Sequence, residues 1–565
     1  MAQYQIIKGN TIPRWERWAK LAIVLGTVAL ILAAWRMGAV SRMFKFNPEH
    51  SLDNLWVSSV MIYGSIHYVA LLWRISLWLS YRPMAPVATG DLPKMSVVIP
   101  AYNEGHLVEH CILSVTGSDY PPEKLQVIVV DDGSTDNTWK CIQNAVAQAP
   151  IPIITIRQAC NQGKRHALFN GFQRATGEVW VTVDSDSILN PDALRNGVSP
   201  LARDPRIGLV AGCVRVLNRN ESLITRFLKA SFSLSFTFSR AYQSQIRGLL
   251  TTPGALSIYR ASAVKPVLKK WLHQTFWGIP CLTGEDRALT NLITAQGYHS
   301  FFQSNAIVWS EMPSDYAGMA KMFLRWARSN IRETVVLFTF LFKRFRPDYL
   351  WSFRINSVLI ASTLIIPYFL LVQSYYLLLT NPWWIFRHSI TIAVMSVPMA
   401  FIYYWNERDS DFAWVIAYEF FWILTCQWIM PYAFLTCWRQ GAWITRGAPK
   451  IWAEEEPASP TSLEGSSLLY RDFPPLGDEK GIYEGYPIRT AKAAGIFQVE
   501  KNKKEDLRTP DVRKSNPSSW DLRNSMNEIV NRSARENFPP APLAETDGIF
   551  PRKPEKHEGR AHSLQ

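Results

Sequence analysis

Residues 95–104 read MSVVIPAYNE, residues 126–134 read QVIVVDDGS and residues 178–187 read EVWVTVDSDS. Each stretch opens as a short run rich in Val and Ile and stops abruptly at acidic and amide side chains. Such runs predict strands at Met95–Ile99, Gln126–Val130 and Glu178–Val183. Stretches of helical length, Leu107–Val115, Thr138–Gln148 and Arg165–Thr176, separate them. Alternation of this kind predicts an α/β domain built on a parallel sheet with crossover helices. Ligands of such sheets gather beyond the carboxyl ends of the strands. The three chemically pointed segments fall there: Pro100-Ala101-Tyr102-Asn103-Glu104, Asp131-Asp132-Gly133-Ser134 and Asp184-Ser185-Asp186-Ser187.

Four aspartates at neighbouring strand ends repel one another unless a cation or hydrogen-bond donors offset them. Asp132 is placed to accept from a base or ribose. Asp184 and Asp186, next but one in a loop, can share one divalent ion. Hard carboxylate oxygens suit Mg²⁺ or Mn²⁺, and such an ion would bridge a diphosphate. Asp-Asp-Gly-Ser by itself is as often only a turn, and a lone Asp-x-Asp is weak; their recurrence at successive strand ends is the stronger signal. Lys164 and Arg165 open the third helix and could meet phosphate oxygens, although alone they would be an ordinary solvated pair. Residues 251–260, TTPGALSIYR, contain a Pro-Gly turn where backbone could approach a ligand. Gly284-Glu285-Asp286-Arg287 opens another helix. Its acids are either helix-start residues favoured by the dipole or a general base.

Working outward, the chain has 565 residues, 48% of them hydrophobic, with a formal charge of +14. Mean hydropathy is near zero, an average over very apolar and very polar stretches. The basic excess beside apolar runs points to an anionic membrane face rather than nucleic acid. Seven scattered cysteines without a CxxC pair argue against a disulfide framework or structural zinc. Leu21–Trp35 and Leu55–Trp73 are candidate spans, a signal peptide being the competing reading of the first. Asn356–Leu379, Ile390–Trp405 and Phe412–Trp438 are further apolar runs edged with Trp and Tyr. The expected organisation is a membrane region at 1–80 with spans at about 21–39 and 55–75, a cytosolic catalytic domain at 81–315, an amphipathic interfacial helix at 316–345, a second membrane region at 346–450 and a disordered tail at 451–565. In the interfacial helix, Lys321, Arg325, Arg328 and Arg332 form a basic face, and Met319, Met322, Phe323 and Trp326 an apolar one. Arg325 could also serve phosphate, and Trp326 stack on a sugar ring. Three spans after the domain would put the tail outside, where the sequon at Asn531 would be usable; otherwise one run does not cross.

In this order and spacing, the motifs resemble family 2 glycosyltransferases over about residues 60–450. The likeness is to hyaluronan, cellulose and chitin synthases, and most to fungal type 2 enzymes of the cell surface. It implies a GT-A-like domain between membrane helices and an inverting, processive transfer from a UDP-sugar to a growing polysaccharide at the plasma membrane. By likeness, Tyr102, Glu104 and Asp132 belong to the nucleotide, and Lys164, Arg165 and Asp184 to the diphosphate. Asp184 and Asp186 belong to the metal, Asp286 is the base, and Glu285, Arg325 and Trp326 lie at the acceptor. Residues 443–447, WITRG, resemble a gating segment, which favours a cytosolic tail. The family usually writes Gln-(Gln or Arg)-x-Arg-Trp where this chain has Met322-Phe323-Leu324-Arg325-Trp326, which departs on the acceptor side. A single transfer to a lipid carrier and a non-catalytic membrane scaffold are the alternative readings.

Overall fold

The computed structural model describes residues 14–36, 38, 51–368, 372, 379 and 384–439. The gating segment 443–447, the sequon at Asn531 and the tail 451–565 lie outside the described residues.

The core is an eight-stranded sheet. Its strands are β1 (Met95–Ala101), β2 (Leu125–Asp131), β3 (Ile153–Arg157), β4 (Val179–Thr182), β5 (Ser187–Leu189), β6 (Ile207–Val216), β7 (Ser257–Arg260) and, after a small hairpin of β8 (Thr275–Phe276) and β9 (Ile279–Pro280), β10 (His299–Ser310). The order across the sheet is β3-β2-β1-β4-β7-β6-β10-β5. The three expected strands are β1, β2 and β4, which pair in parallel. The expectation of a purely parallel sheet is corrected: β7 runs antiparallel to both β4 and β6, and β5 antiparallel to β10.

Period-2 alternation sends the β1 side chains to two cores. Val97 and Ile99 pack with Cys111 and Ile112 of α3 (Leu107–Thr116) and Cys141 of α4 (Thr138–Gln148). Val98 packs on the other face with Ala167, Leu168 and Phe172 of α5 (Lys164–Arg174). Cover on both faces explains why β1 and β2 read as unbroken apolar runs.

The sheet must curl. β4 and β5 are four positions apart in the sheet, about 19 Å if flat, yet the five steps from Thr182 to Ser187 reach at most about 18 Å when fully extended. They are not extended, because Ser187 N–H donates to Asp184 O at 3.0 Å. The far edge therefore folds back towards β4, and the Asp184-Ser185-Asp186 turn closes the gap. Ser187 pairs with Ser310, so the end of β10 is drawn to the same place.

Helices α1 (Arg14–Arg36) and α2 (Ser51–Ser80) precede the sheet. Leading into the sheet-covering layer are α6 (Ala193–Arg203), α7 (Leu223–Ser233) and a π-helical segment, Leu234–Arg240. Then come α8 (Glu285–Ala295), α9 (Tyr316–Leu341), α10 (Leu350–Ser362), α11 (Trp384–Glu407), α12 (Phe412–Phe421) and α13 (Ile429–Phe434). Two described stretches are helical, long and apolar enough to cross a membrane, Arg14–Arg36 and Leu350–Tyr368. The run Phe412–Trp438 is not one helix. It breaks into α12, a π-helical turn at Trp422–Cys426 and α13, and its end is fastened to α9. Arg332 donates to Cys437 O at 2.7 Å and Arg328 to Thr436 Oγ1 at 3.1 Å. Two residues of the basic face expected for α9, Arg328 and Arg332, make these contacts. Arg332 is buried, and it also donates to Thr283 O and Oγ1.

Candidate active site

A cavity of about 700 Å³ opens where the strand ends of β1, β4 and β10 meet the starts of α8 and α9. Glu104, Lys164, Asp184, Asp186, Glu285, Asp286, Arg325 and Trp326 all line it. Of the predicted site residues these eight share the cavity; Tyr102, Asp132 and Arg165 are not on its wall.

Lys164 is the hub. Its Nζ lies 2.5 Å from Asp184 Oδ1 and 2.9 Å from Glu285 Oε1. Burial works against its charge, but the two carboxylates outweigh burial and raise its pKa. The loop of residues 251–254 comes in close behind. A Cβ on Gly254 would sit 2.7 Å from Lys164 Nζ and 3.0 Å from Asp184 Oδ2, so any larger residue there must push these side-chain ends aside.

Asp132 is fully buried and accepts from the backbone N–H groups of Gln162 and Gly163 at 2.9 and 2.8 Å, and from Gln158 Nε2. Burial raises it to about 6 despite those donors. Its carboxylate thus pins the loop that leads into Lys164, a role not foreseen in its expected contact with a nucleotide. Arg165 departs from the phosphate expectation. It is buried, donates from Nη1 to Trp271 O at 2.6 Å and Gln274 Oε1 at 3.0 Å, and lies over the Trp271 ring. Successive helix positions point about 100° apart, so Lys164 and Arg165 cannot both face the strand ends. Tyr102 is half-buried in the turn after β1. That turn is tied to the β2 loop, since Asn103 N–H donates to Ser134 Oγ at 3.0 Å and Glu104 N–H to Thr138 Oγ1 at 2.8 Å.

Asp186 accepts from Ser187 Oγ at 3.0 Å and Ser310 Oγ at 3.3 Å. Asp184, Asp186 and Glu104 line the cavity with hard oxygen donors, the chemistry that Mg²⁺ or Mn²⁺ takes. The excess of carboxylates over cations around Lys164 points the same way.

Gly284, with φ of 82°, turns the chain into α8 and presses against Ser329 of α9, where a Cβ would lie 2.6 Å from Ser329 Cβ. Glu285 and Asp286 follow with opposite titration behaviour. Burial alone would lift Glu285, but the charge and hydrogen bond of Lys164 outweigh it and hold it low. Burial and the adjacent Glu285 charge raise Asp286 to about 6 against the pull of Lys164. A carboxylate tuned near neutrality is suited to take a proton. Arg287 fastens this segment to α9, donating to Asn330 Oδ1 at 2.6 Å and Thr334 Oγ1 at 2.8 Å.

Trp326 is 36% exposed, with Phe323 and Phe232 at ring-centroid distances of 5.6 and 5.9 Å. Met322 is buried and Phe323 meets Trp422 at 5.1 Å. The two apolar departures are thus packing residues. Sequence reasoning missed Glu311, which follows β10. It is 7% exposed, lines the cavity, and burial together with Glu221 raises it to about 7. A strand-end acid after the long β10 was the available signal, but the order of strands was needed to bring it here.

Residues 93–329 match the family model for Glycosyltransferase like family 2. Over these residues the chain is similar to the glycosyltransferases of family 2. An N-acetylglucosaminyltransferase of Azorhizobium caulinodans is 32% identical over 247 residues, 43% of this chain and 61% of its own. The hyaluronan synthase of Streptococcus pyogenes serotype M3 is 31% identical over 284 residues, 49% of this chain and 66% of its own. The chain thus spans a little under two thirds of the length of these curated relatives. Among solved structures, the mannosyltransferase PcManGT from Pyrobaculum calidifontis in complex with GDP-Man and Mn²⁺ aligns over 62% of this chain and 98% of its own, at 23% identity and a TM-score of 0.40. The matched region ends within α9 and includes the acidic wall, Arg325 and Trp326.

Proposed function

We propose that the protein is a membrane-embedded, inverting and processive hexosyltransferase that moves a sugar from a UDP-sugar to the end of a growing polysaccharide. The observation that carries this reading is the meeting of Asp286, Asp184, Lys164 and Trp326 in one cavity. Asp286 takes the proton of the acceptor hydroxyl as that oxygen bonds to the anomeric carbon and the sugar–phosphate bond breaks, releasing UDP. Lys164 places a buried positive charge beside the departing diphosphate, and Asp132 holds the loop that aims it. Glu285 stays ionised and keeps Lys164 in place. Asp184 and Asp186, with Glu104 beside them, would hold Mg²⁺ or Mn²⁺, which when bound supplies charge stabilisation to the diphosphate. Arg325 and Trp326 serve the acceptor.

Placement in a membrane is supported by apolar side chains exposed along α1 (Leu21, Leu25, Val28, Leu32), α2 (Ile62, Ile66, Val69) and α11 (Met395, Phe401). Exposed apolar area on this scale is the mark of a lipid-facing surface. The transferase domain is then cytosolic and the membrane the plasma membrane.

The test is UDP release by the purified full chain over a panel of UDP-sugars, with Mn²⁺, Mg²⁺ or EDTA, followed by sizing of the product. Metal-dependent release and a polymer are expected. No release with any donor, or release unchanged in Asp286→Asn, overturns the enzyme reading. A product that stops at one lipid-linked sugar overturns processivity.

A further inference from the structure

Helix α7 runs without a break into the π-helical segment, and residues 231–240 read SFSLSFTFSR. Ser231, Ser235 and Ser239, four residues apart, all line the cavity. So do Phe232 and Phe236, also four apart, whose rings lie 6.0 Å from each other with planes 27° apart. Phe232 backs Trp326, and Arg240 lies 3.9 Å over the Phe236 ring while donating to Ser235 O and Oγ at 3.2 and 2.8 Å. Ser231 bonds Tyr418. Ser239 has no side-chain hydrogen-bond partner among the described residues, although it is only half-buried and faces the cavity. The row ends close to the proposed base, since the charge of Asp286 is felt at Arg240. From α9, Met322 and Phe323 line the same cavity beside Arg325 and Trp326, at the two positions where the family usually has polar side chains.

We propose, resting on the transferase reading above, that this serine-bearing face is the acceptor subsite and that it takes a chain of neutral pyranoses. A serine hydroxyl both donates and accepts, matching sugar hydroxyls of either sense without demanding charge. The aromatic row behind it meets the apolar C–H faces of the rings. Polar recognition of the acceptor is thereby shared between Arg325 of α9 and the segment between α7 and β7. The free hydroxyl of Ser239 is the position a sugar hydroxyl fills, and Arg240, committed to Phe236 and Ser235, positions the segment.

The experiment uses the full chain in detergent or nanodiscs and two variants, Ser239→Ala and Ser239→Leu. Quenching of tryptophan fluorescence by chitopentaose and by cellopentaose reports the acceptor side, and calorimetric titration with UDP and Mn²⁺ reports the donor side. Ser239→Ala is expected to weaken binding of at least one pentaose about fivefold, the net worth of one neutral hydrogen bond. Ser239→Leu is expected to abolish it, with UDP affinity within twofold of wild type in both. Equal pentaose affinity in wild type and Ser239→Ala, or no binding of either pentaose by wild type, overturns the proposal. If Ser239→Leu loses UDP binding as well, it has failed to fold and Ser239→Ala alone decides. UDP release from the donor panel is scored separately. A wild type that binds a pentaose but never releases UDP refutes the transferase reading and leaves the subsite standing.

Discussion

Glu285→Gln separates the electrostatic role of Glu285 from a role in binding. The amide keeps the shape and can still accept the hydrogen bond that Lys164 donates at 2.9 Å. What it loses is a negative charge that raises Asp286 and competes for Lys164, which lowers Asp286. Both consequences have one sign: the Asp286 pKa falls. A like charge on the adjacent residue, in an effective dielectric of about 20, acts with about 2 kcal/mol, or about 1.5 pK units. The acid limb of the kcat/KM profile, expected at about 6 in wild type, then moves to about 4.5. At pH 5 the ionised fraction of the base rises from about a tenth to about three quarters. The plateau falls by about two- to tenfold, because a weaker base takes the proton less readily. The assay is UDP release from pH 4 to 9 at subsaturating donor, with UDP affinity as the control for folding. An acid limb that stays at about 6, or moves up, refutes the assignment of Asp286 as a base tuned by Glu285 and Lys164.

Asp286→Asn removes a carboxyl whose native pKa is raised, so the ionised group costs stability at high pH and nothing at low pH; the variant should gain on the order of 1–2 kcal/mol over wild type, growing from pH 4 to 6 and level above, read as thermal midpoints across that range. Arg332→Ala strands the carbonyls of Cys437 and Thr283 in a buried site and should cost about 3 kcal/mol, whereas Lys321→Ala on the exposed side of α9 should stay within about 0.5 kcal/mol by the same unfolding measurement. Gly254→Ala drives a methyl into Lys164 and Asp184 and should lower kcat/KM at least tenfold with little change in thermal midpoint, because the loop bearing it is at the cavity and not in the core; wild-type kinetics would mean the loop yields freely.

The strands β1, β2 and β4, the helices between them, and the acids at the strand ends were legible in the sequence. Alternating or continuous Val and Ile, and the abrupt stop at Asp, Asn and Glu, are local signals that follow from side-chain period and turn chemistry. Asp184, Asp186 and Asp286 could be singled out for the same reason. What the tertiary structure alone decided depends on contacts between distant residues. The antiparallel insertion of β7 and the curl that returns β5 to the mouth of β4 are set by pairing across more than seventy residues, which no local pattern encodes. The choice between Lys164 and Arg165 follows from where Trp271 and Gln274 stand, for the two side chains are equivalent in sequence and differ only in direction. Glu311 and the serine face of residues 231–239 became parts of the cavity only when β10 and α7 were packed beside Asp186 and Trp326. Chemistry was written in single residues, but which of them share one space was settled by burial and pairing at long range.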